Sequence, residues 1–203
     1  MQLRARFYID GFNLYFGLMN SGYKDCKWLD IKSLCMKLMN KEHDLFGVKY
    51  FTSSVKNDLA KKKRQDVYIE ALYSSEVDIY WGQFRSELQK CEICGNDYWQ
   101  LKEKKTDVNI ATQLMVDAYK NEFDVAYVIS GDSDLVPPIK HIREIFPSKQ
   151  IFIAFPPSRT SDELKLYANS SFKIGYKKLK DCQFPENLPN KYGELIQKPK
   201  EWL

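Results

Sequence analysis

Acidic residues stand directly after two apolar runs of this chain. Asp10 follows the run at residues 5–9, and Asp132 and Asp134 follow the run at residues 125–129. Two carboxylates two residues apart repel each other unless a cation, a proton or a hydrogen-bond donor lies between them. Capping of a following helix is the alternative, since aspartate is a preferred N-cap residue, but one cap requires only one of them. The pattern therefore favours an acidic functional site.

Both apolar runs are typical of buried strands in a parallel sheet. Residues 125–129 are five consecutive apolar residues rich in valine and isoleucine, which indicates a strand buried on both faces. Ligands of open α/β sheets bind beyond the carboxyl ends of the strands. We therefore expect Asp10, Asn13 and Asp132 at one edge of the sheet, although Asp10-Gly11 alone would also fit an Asx turn.

The rest of the chain alternates between strand and helix patterns. Further strands are predicted at residues 48–53, 77–84, 150–155 and 172–174, and helices at residues 14–18, 31–39, 56–73, 106–118, 135–146 and 161–168. Such alternation predicts an α/β fold, a three-layer αβα sandwich around a mainly parallel, Rossmann-like sheet of five to six strands. One domain is expected over residues 1–180, followed by an extended tail over residues 181–203.

The helix predicted at residues 106–118 carries two aspartates in contrasting positions. Thr106 is the expected N-cap, and Asp107 then lies in the first turn, where the helix dipole stabilises a carboxylate. Dipole complementarity alone would explain Asp107. The dipole disfavours Asp117 in the last turn, so that residue requires another explanation.

A hairpin inserted at about residues 85–104 contains Cys91-Glu92-Ile93-Cys94-Gly95. A CxxC followed by glycine has the form of a zinc knuckle, but a closed structural zinc site requires four ligands. The chain offers no second CxxC, and its other soft ligands are Cys26, Cys35, Cys182, His43 and His141. Structural Zn²⁺ at Cys91 and Cys94 and a redox or incidental thiol pair both stay open.

Composition restricts the class of protein. A hydrophobic fraction of 44% and a charged fraction of 29% are typical of a globular domain, and the net charge of +4 does not by itself indicate nucleic-acid binding. Basic runs such as Lys61–Arg64 are usually solvated helix faces. No stretch approaches the ~18 apolar residues of a membrane span. Five cysteines, an odd number, argue against a disulfide framework, so we expect a cytoplasmic protein without a membrane partner.

Three short segments, in this order, resemble the signature motifs of the NYN domain, a branch of the PIN-like nucleases. They are YIDGFN at residues 8–13, KKTDV at residues 104–108 and SGDSD at residues 130–134. The likeness spans roughly residues 5–175 and implies a PIN-like fold and a metal-dependent ribonuclease. The family often carries a cysteine pair before the second motif, as here. This chain departs from PIN nucleases in general because the helix after its first strand has no clear acidic residue.

Matched motif to motif, the resemblance implies a set of site residues. The ligands of Mg²⁺ or Mn²⁺ would be Asp10, Asp107, Asp132 and Asp134, with Asn13 helping to hold the metal or the scissile phosphate. Such ions suit hard carboxylate ligands, neutralise the charged transition state and deprotonate the attacking water. The expected partner is single-stranded RNA. The residues expected to bind it are Asn13, Lys104, Lys105, Ser130 and Ser133, with Lys102 nearby.

Three other readings stay open from the sequence. A non-catalytic RNA-binding or scaffold module could retain the acidic residues. A nucleotide-binding Rossmann oxidoreductase is disfavoured because Asp10-Gly11-Phe12-Asn13 replaces the GxGxxG motif after the first strand. A phosphatase-like hydrolase would use a nucleophilic aspartate with a second acid two residues on, a spacing that Asp132 and Asp134 share. The oligomeric state is not predictable from the sequence.

Overall fold

The computed structural model describes residues 2–55, 58–90 and 92–202, with side chains omitted at residues 84–87 and 99–104. The elements in chain order are β1 (Leu3–Asp10), α1 (Gly11–Asn20), α2 (Ile31–Leu38), β2 (His43–Thr52), α3 (Leu59–Ser74), β3 (Asp78–Trp81), β4 (Gln83–Lys90), β5 (Asp97–Lys104), α4 (Thr106–Tyr119), β6 (Val125–Ile129), α5 (Val136–Ile145), β7 (Gln150–Phe155), α6 (Asp162–Tyr167), β8 (Ser170–Lys173), α7 (Tyr176–Asp181), β9 (Asn187–Pro189) and β10 (Leu195–Gln197). Short 3-10 helices lie at Lys24–Cys26, Ser133–Leu135 and Lys200–Trp202.

The main sheet has six strands in the order β3-β2-β1-β6-β7-β8. All five pairings between these neighbours are parallel. The strand order changes direction between β1 and β6, which are adjacent although more than a hundred residues separate them. This is the switch point where open α/β sheets bind ligands, and it places the loops after Asp10 and Ile129 side by side.

Helices cover both faces of this sheet, as the predicted αβα sandwich requires. Along β1, Phe7 and Ile9 join one buried cluster and Tyr8 joins the other, because successive side chains of a strand point to opposite faces. Apolar residues of α1, α2 and α3 complete the first cluster, and those of α4, α5 and α6 complete the second. The predicted fold class is confirmed.

The contacts of Asp117 explain why an aspartate lies near the end of α4, where the helix dipole disfavours it. Its carboxylate is buried and accepts hydrogen bonds from Lys49 Nζ at 2.6 Å, Tyr8 Oη at 2.6 Å and Gln113 Nε2 at 2.8 Å. Arg6 lies 3.5 Å away. Burial alone would raise the pKa of Asp117, but the bonds from Lys49 and Tyr8 outweigh it and hold the pKa below its usual value. The side chain thus ties α4 to β1 and β2.

Two helix starts differ from their predicted positions. Helix α1 begins at Gly11 rather than Leu14, because Asp10 itself is the N-cap and accepts from the backbone N–H of Asn13. Thr106 is not the N-cap of α4, so that prediction is wrong. Lys105 holds the cap position in a left-handed conformation with φ of 80°, and Thr106 is buried with its hydroxyl 3.3 Å from that of Ser53.

Beyond Asp181, where an extended tail is predicted, the described segment contains two short strands and a 3-10 helix, and part of it packs against the core. Strands β9 and β10 form an antiparallel hairpin, and Leu188 and Ile196 are buried in the cluster beneath it. Trp28 Nε1 donates to the carbonyl of Pro185 at 2.8 Å. This segment therefore packs on an apolar face of α2 and α3. Local composition does not reveal such packing, because the residues in contact are distant in the sequence. The domain boundary near residue 180 stays a prediction.

The predicted inserted hairpin is present as β4 and β5, which pair antiparallel as a separate two-stranded sheet from Gln83 to Lys104. Cys94 is exposed and is not in a disulfide. Cys91 lies outside the described residues, so the zinc hypothesis stays a prediction. Within the described part of the chain, none of the helices is long and apolar enough to span a bilayer.

Candidate functional site

Asp10 is fixed where β1 turns into α1. Its Oδ1 accepts from the Asn13 backbone N–H at 2.9 Å, and its Oδ2 accepts from the Ser130 hydroxyl at 3.0 Å. Only 4% of the residue is exposed. A carboxylate at the N-terminus of a helix is also stabilised by the helix dipole. The end of β1 therefore holds one buried acid in a single orientation.

The loop after β6 is held against Asp10 by Ser130. The hydroxyl of Ser130, while donating to Asp10, accepts from the backbone N–H of Asp132 at 3.1 Å. Asp132 in turn caps the 3-10 helix at Ser133–Leu135, since its Oδ1 accepts from the Asp134 N–H at 3.0 Å. Helix capping and placement in the acidic site, posed as alternatives from the sequence, therefore coexist at Asp132.

Asn13 locks the two loops together. Its backbone N–H donates to Asp10, and its side-chain Oδ1 accepts from the Gly131 N–H at 2.9 Å. Close packing favours glycine at residue 131, because a Cβ there would lie 3.0 Å from the backbone carbonyl carbon of Arg159 and that loop would have to shift. The contact of Asn13 with metal or phosphate remains a prediction.

Three carboxylates converge at this edge of the sheet. One oxygen from each of Asp10, Asp107 and Asp132 lies within 4.8 Å of the others. They line an open cavity of about 170 Å³. Asp10 comes from β1, Asp132 from the loop after β6, and Asp107 from the first turn of α4. Residues from three separate segments of the chain thus form one acidic group, as their predicted positions at strand ends and at a helix start indicated.

Burial within the site raises the pKa of Asp10 to about 6. Burial is the largest cause, and the nearby charges of Asp107 and Asp132 add to it, while the bonds from Asn13 and Ser130 oppose it. Burial and neighbouring negative charges disfavour an ionised carboxylate, whereas hydrogen bonds donated to it favour the ionised form. A cation between the three carboxylates would offset both the burial and the repulsion.

Arg159 lines the same cavity and was missed by the sequence analysis. It lies in the loop after β7, the strand next to β6, so it follows a carboxyl end of the sheet as the acids do. Its Nε is buried and has no hydrogen-bond partner among the described residues. The position of Arg159 shortly after a predicted strand was the signal available in the sequence. Because Pro156-Pro157-Ser158 intervene, the direction of the Arg159 side chain was not predictable. Phe12 and Phe16 also line the cavity and were missed.

Other predicted site residues lie apart from the three carboxylates. Asp134 and Ser133 are exposed, and within the described residues the group that could share a metal is Asp10, Asp107 and Asp132. The ammonium group of Lys105 donates to Gln83 Oε1 at 2.8 Å. The side chains of Lys102 and Lys104 are outside the described part. The roles assigned to these residues stay predictions.

Comparisons with known proteins agree with this architecture. The chain is 24% identical to 6-hydroxy-3-succinoylpyridine 3-monooxygenase of Pseudomonas putida, over 98% of this chain and 75% of that protein. A protein of unknown function from Vibrio parahaemolyticus shares the fold, with a TM-score of 0.55 and 18% identity over 86% of this chain and 94% of the other. The model of the NYN domain family matches residues 4–175. The chain therefore belongs to the NYN domain family.

Proposed function

We propose that this protein is a metal-dependent ribonuclease that hydrolyses phosphodiester bonds of RNA. The observation that carries the proposal is the convergence of Asp10, Asp107 and Asp132 at the switch point of the sheet. Membership of the NYN family, a branch of PIN-like nucleases, supports it. The geometry and the family together favour chemistry on a charged phosphate.

The donor set of the cavity fits a hard divalent cation. Carboxylate oxygens are the ligands that Mg²⁺ and Mn²⁺ take in proteins, and three of them here face one another within 4.8 Å. Asp10, Asp107 and Asp132 would hold the ion, with Asp134 as a further predicted ligand. When bound, such an ion neutralises phosphate charge and lowers the pKa of a coordinated water.

The remaining side chains would orient the substrate. Arg159 provides a guanidinium beside the carboxylates, with its Nε unpaired within the described residues. A guanidinium binds phosphate oxygens in a bidentate manner, so we assign Arg159 to the scissile phosphate. Asn13 and Ser130 hold Asp10 and the loop after β6 in place through the bonds described above. Single-stranded RNA is the proposed substrate, with Lys104 and Lys105 as further backbone contacts.

The variant Asp132→Asn tests the proposal, because it preserves the shape of the side chain while removing one charge from the cluster. Cleavage of single-stranded RNA in Mg²⁺ or Mn²⁺ should fall by orders of magnitude. RNA affinity should hold, since cationic groups bind the backbone, with a log–log salt slope of about −0.7 per phosphate contacted. Asp162→Asn, at an exposed aspartate of α6, is the matched control and should cleave like the wild type.

Two outcomes would favour the alternatives raised by the sequence. RNA binding without cleavage by the wild-type chain, equal in Asp132→Asn, would indicate a non-catalytic binding module. An acid-stable phosphate trapped on Asp132 would indicate the phosphatase-like reaction, in which the carboxylate attacks phosphorus and the leaving alkoxide departs. A hydrolytic ribonuclease that uses water forms no such aspartyl-phosphate.

A second candidate function is oxidation of a hydroxylated aromatic acid. It is favoured by the named activity of the Pseudomonas relative, which aligns over 98% of this chain, and by an aromatic groove beside the acidic cavity. Monooxygenation would incorporate one atom of O₂ into the substrate and reduce the other to water, with two electrons from a supplied reduced flavin or reduced nicotinamide. Oxygen uptake with 6-hydroxy-3-succinoylpyridine and these reductants tests it. Uptake coupled to ring hydroxylation, without RNA cleavage, would replace the nuclease proposal.

A further inference from the structure

We propose that the groove between α1, α3 and the C-terminal 3-10 helix binds an unpaired nucleobase next to the acidic cavity, which makes single-strandedness a structural requirement of the site. This inference rests on the proposed function. The groove has a volume of about 410 Å³, within the range of ligand sites. It is open to solvent on one side, so a base on a continuous strand could enter it.

Aromatic side chains from distant parts of the chain line this groove. Phe16 and Tyr15 of α1 are 47% and 40% exposed, so their rings are accessible to a ligand. Tyr68 of α3 and Trp202 near the C-terminus contribute rings whose centroids lie 5.9 Å apart in an edge-on arrangement. Exposed aromatic faces are the surfaces on which single-stranded bases stack without regard to sequence.

Cations surround the same aromatic surface. Lys27, Lys61 and Arg64 line the groove, against the single carboxylate of Glu201, which pairs with Arg64 at 3.0 Å. Lys27 Nζ lies 5.6 Å from the centre of the Trp202 ring. Lys61 also lies 3.5 Å from Asp58, in an exposed pair of small energetic weight. An anionic backbone whose bases are aromatic complements this combination of rings and positive charge.

The groove and the acidic cavity are adjacent and share one wall. Phe12 and Phe16 line both of them, and their rings stack with centroids 6.1 Å apart. Phe12 follows Asp10 by two residues, so the acidic residue that caps α1 and the aromatic wall formed by α1 lie next to each other in the chain. A strand whose phosphate lies at Asp10, Asp107 and Asp132 would therefore bring its neighbouring base to Phe16.

A duplex would not satisfy this arrangement. Its bases are stacked and paired inside, so none could reach Phe16 without first being unpaired and unstacked, which costs free energy. The shared wall thus selects flexible, unpaired nucleotides at the position beside the cleaved bond. Because aromatic stacking tolerates every base, the groove predicts a preference for unpaired substrate rather than for a particular sequence.

The test measures binding of a short oligouridylate, in EDTA so that cleavage does not interfere. Phe16→Ala and Trp202→Ala should each weaken binding about 5- to 150-fold, the range of one base–aromatic stack. Tyr119→Ala, at another exposed aromatic residue distant in sequence and 81% exposed, is the matched control and should bind like the wild type. Trp202→Phe, which retains an aromatic face against Trp28 and Tyr68, separates stacking from loss of folding.

A base-deletion scan provides a readout that loss of structure would not mimic. Oligouridylates with one abasic nucleotide at successive positions should show one position at which wild-type affinity falls, and at that position Phe16→Ala should cause no further loss. Equal affinity of folded Phe16→Ala, Trp202→Ala and wild type would overturn the inference, as would failure of the wild type to bind RNA or binding of only small aromatic acids. If the protein cleaves RNA but Phe16→Ala has no effect on RNA binding, the base-binding groove is rejected and the nuclease proposal stands. Base-dependent binding without cleavage in Mn²⁺ would reject the nuclease alone.

Discussion

At the scale of single residues, the folded protein disfavours the ionised form of a carboxylate in its own site. Asp10 is buried beside two other carboxylates, and its pKa is raised to about 6. Such a residue is held by Ser130 and Asn13 rather than by a cation of the chain. Groups in this condition are typical of functional sites, where a ligand supplies the missing interaction.

We predict that Asp10→Asn stabilises the metal-free protein at pH 7 by about 2–3 kcal/mol, the free energy of a two-unit pKa shift. The folded state holds a proton on Asp10 up to pH of about 6, whereas the unfolded chain releases it near its ordinary pKa of about 3.9. Wild-type stability should therefore fall as pH rises between these values and stay lower above them. Chemical denaturation across this pH range measures it.

Asp162→Asn is the control for that experiment, because its carboxylate is exposed. Added Mn²⁺ should raise the melting temperature of the wild type, since a ligand bound only by the folded state stabilises it. The ion should stabilise Asp10→Asn much less. An Asp10→Asn variant less stable than the wild type without metal would show that the carboxylate is favourably solvated.

Arg159→Met gives the second prediction at this scale. Methionine retains an aliphatic side chain but loses the charge, so RNA cleavage should fall about 10²- to 10³-fold, the usual effect of one lost transition-state donor. The melting temperature should change little. Arg143→Met, at an exposed arginine that donates to the Tyr167 carbonyl, should cleave normally. Unchanged cleavage by Arg159→Met would remove Arg159 from the site.

At the scale of elements, helix α4 is held in register by a buried ion pair. Asp117 contacts Lys49 of β2 and Tyr8 of β1, while the first turn of the same helix presents Asp107 to the cavity. A shift of α4 by one residue would separate both groups from their partners. The stability of the network and the position of Asp107 are therefore linked through one helix.

Asp117→Asn should lower the free energy of unfolding by about 3–5 kcal/mol, because it leaves the Lys49 ammonium buried without its partner charge. The lowered pKa of Asp117 implies that its stabilising effect is complete above the unfolded pKa of about 3.9 and is lost as pH falls through the folded value. Asp66→Asn, which removes an exposed pair with Lys62, should change stability by less than about 1 kcal/mol. Equal effects of the two substitutions would contradict a structural role of the buried pair.

The elements themselves were largely predictable from local sequence. Strands β6 and β7 match their predicted limits, because runs such as Val125–Ile129 are apolar throughout and end at polar residues. The start of α4 was not predictable, since the left-handed conformation of Lys105 depends on how the β4–β5 hairpin joins the helix. The three carboxylates were found because each follows a strand or opens a helix. Arg159 was missed because its approach to Gly131 is a tertiary contact.

At the scale of the whole molecule, the C-terminal segment completes both the core and the aromatic groove. Ile196 of β10 is buried in the main cluster, and Trp202 packs on Trp28 and Tyr68. Prolines and charges in this segment predicted an extended tail. The packing of the segment on the core was not predicted, because local composition carries no information about the apolar face that it contacts. The NYN motifs end before this segment, so the groove is formed jointly by the NYN domain and by residues that follow it.

Ile196→Ala should therefore lower the free energy of unfolding by about 2–4 kcal/mol, as a large-to-small change in a packed core does. Its neighbour Leu195 lies on the same strand but is 68% exposed, and Leu195→Ala should remain within about 0.5 kcal/mol of the wild type. Urea denaturation of both variants measures the difference. Equal and small effects would mean that the hairpin does not pack on the core in solution.

The convergence of three aspartates from β1, α4 and the loop after β6 is the central structural claim, and crystals soaked in Mn²⁺ test it most directly. An anomalous difference map should show an ion within coordination distance of carboxylate oxygens of Asp10, Asp107 and Asp132, and the same soak of Asp132→Asn should show weaker density there. Manganese bound elsewhere, with no density between these three carboxylates at saturating concentration, would contradict a metal centre at this edge of the sheet.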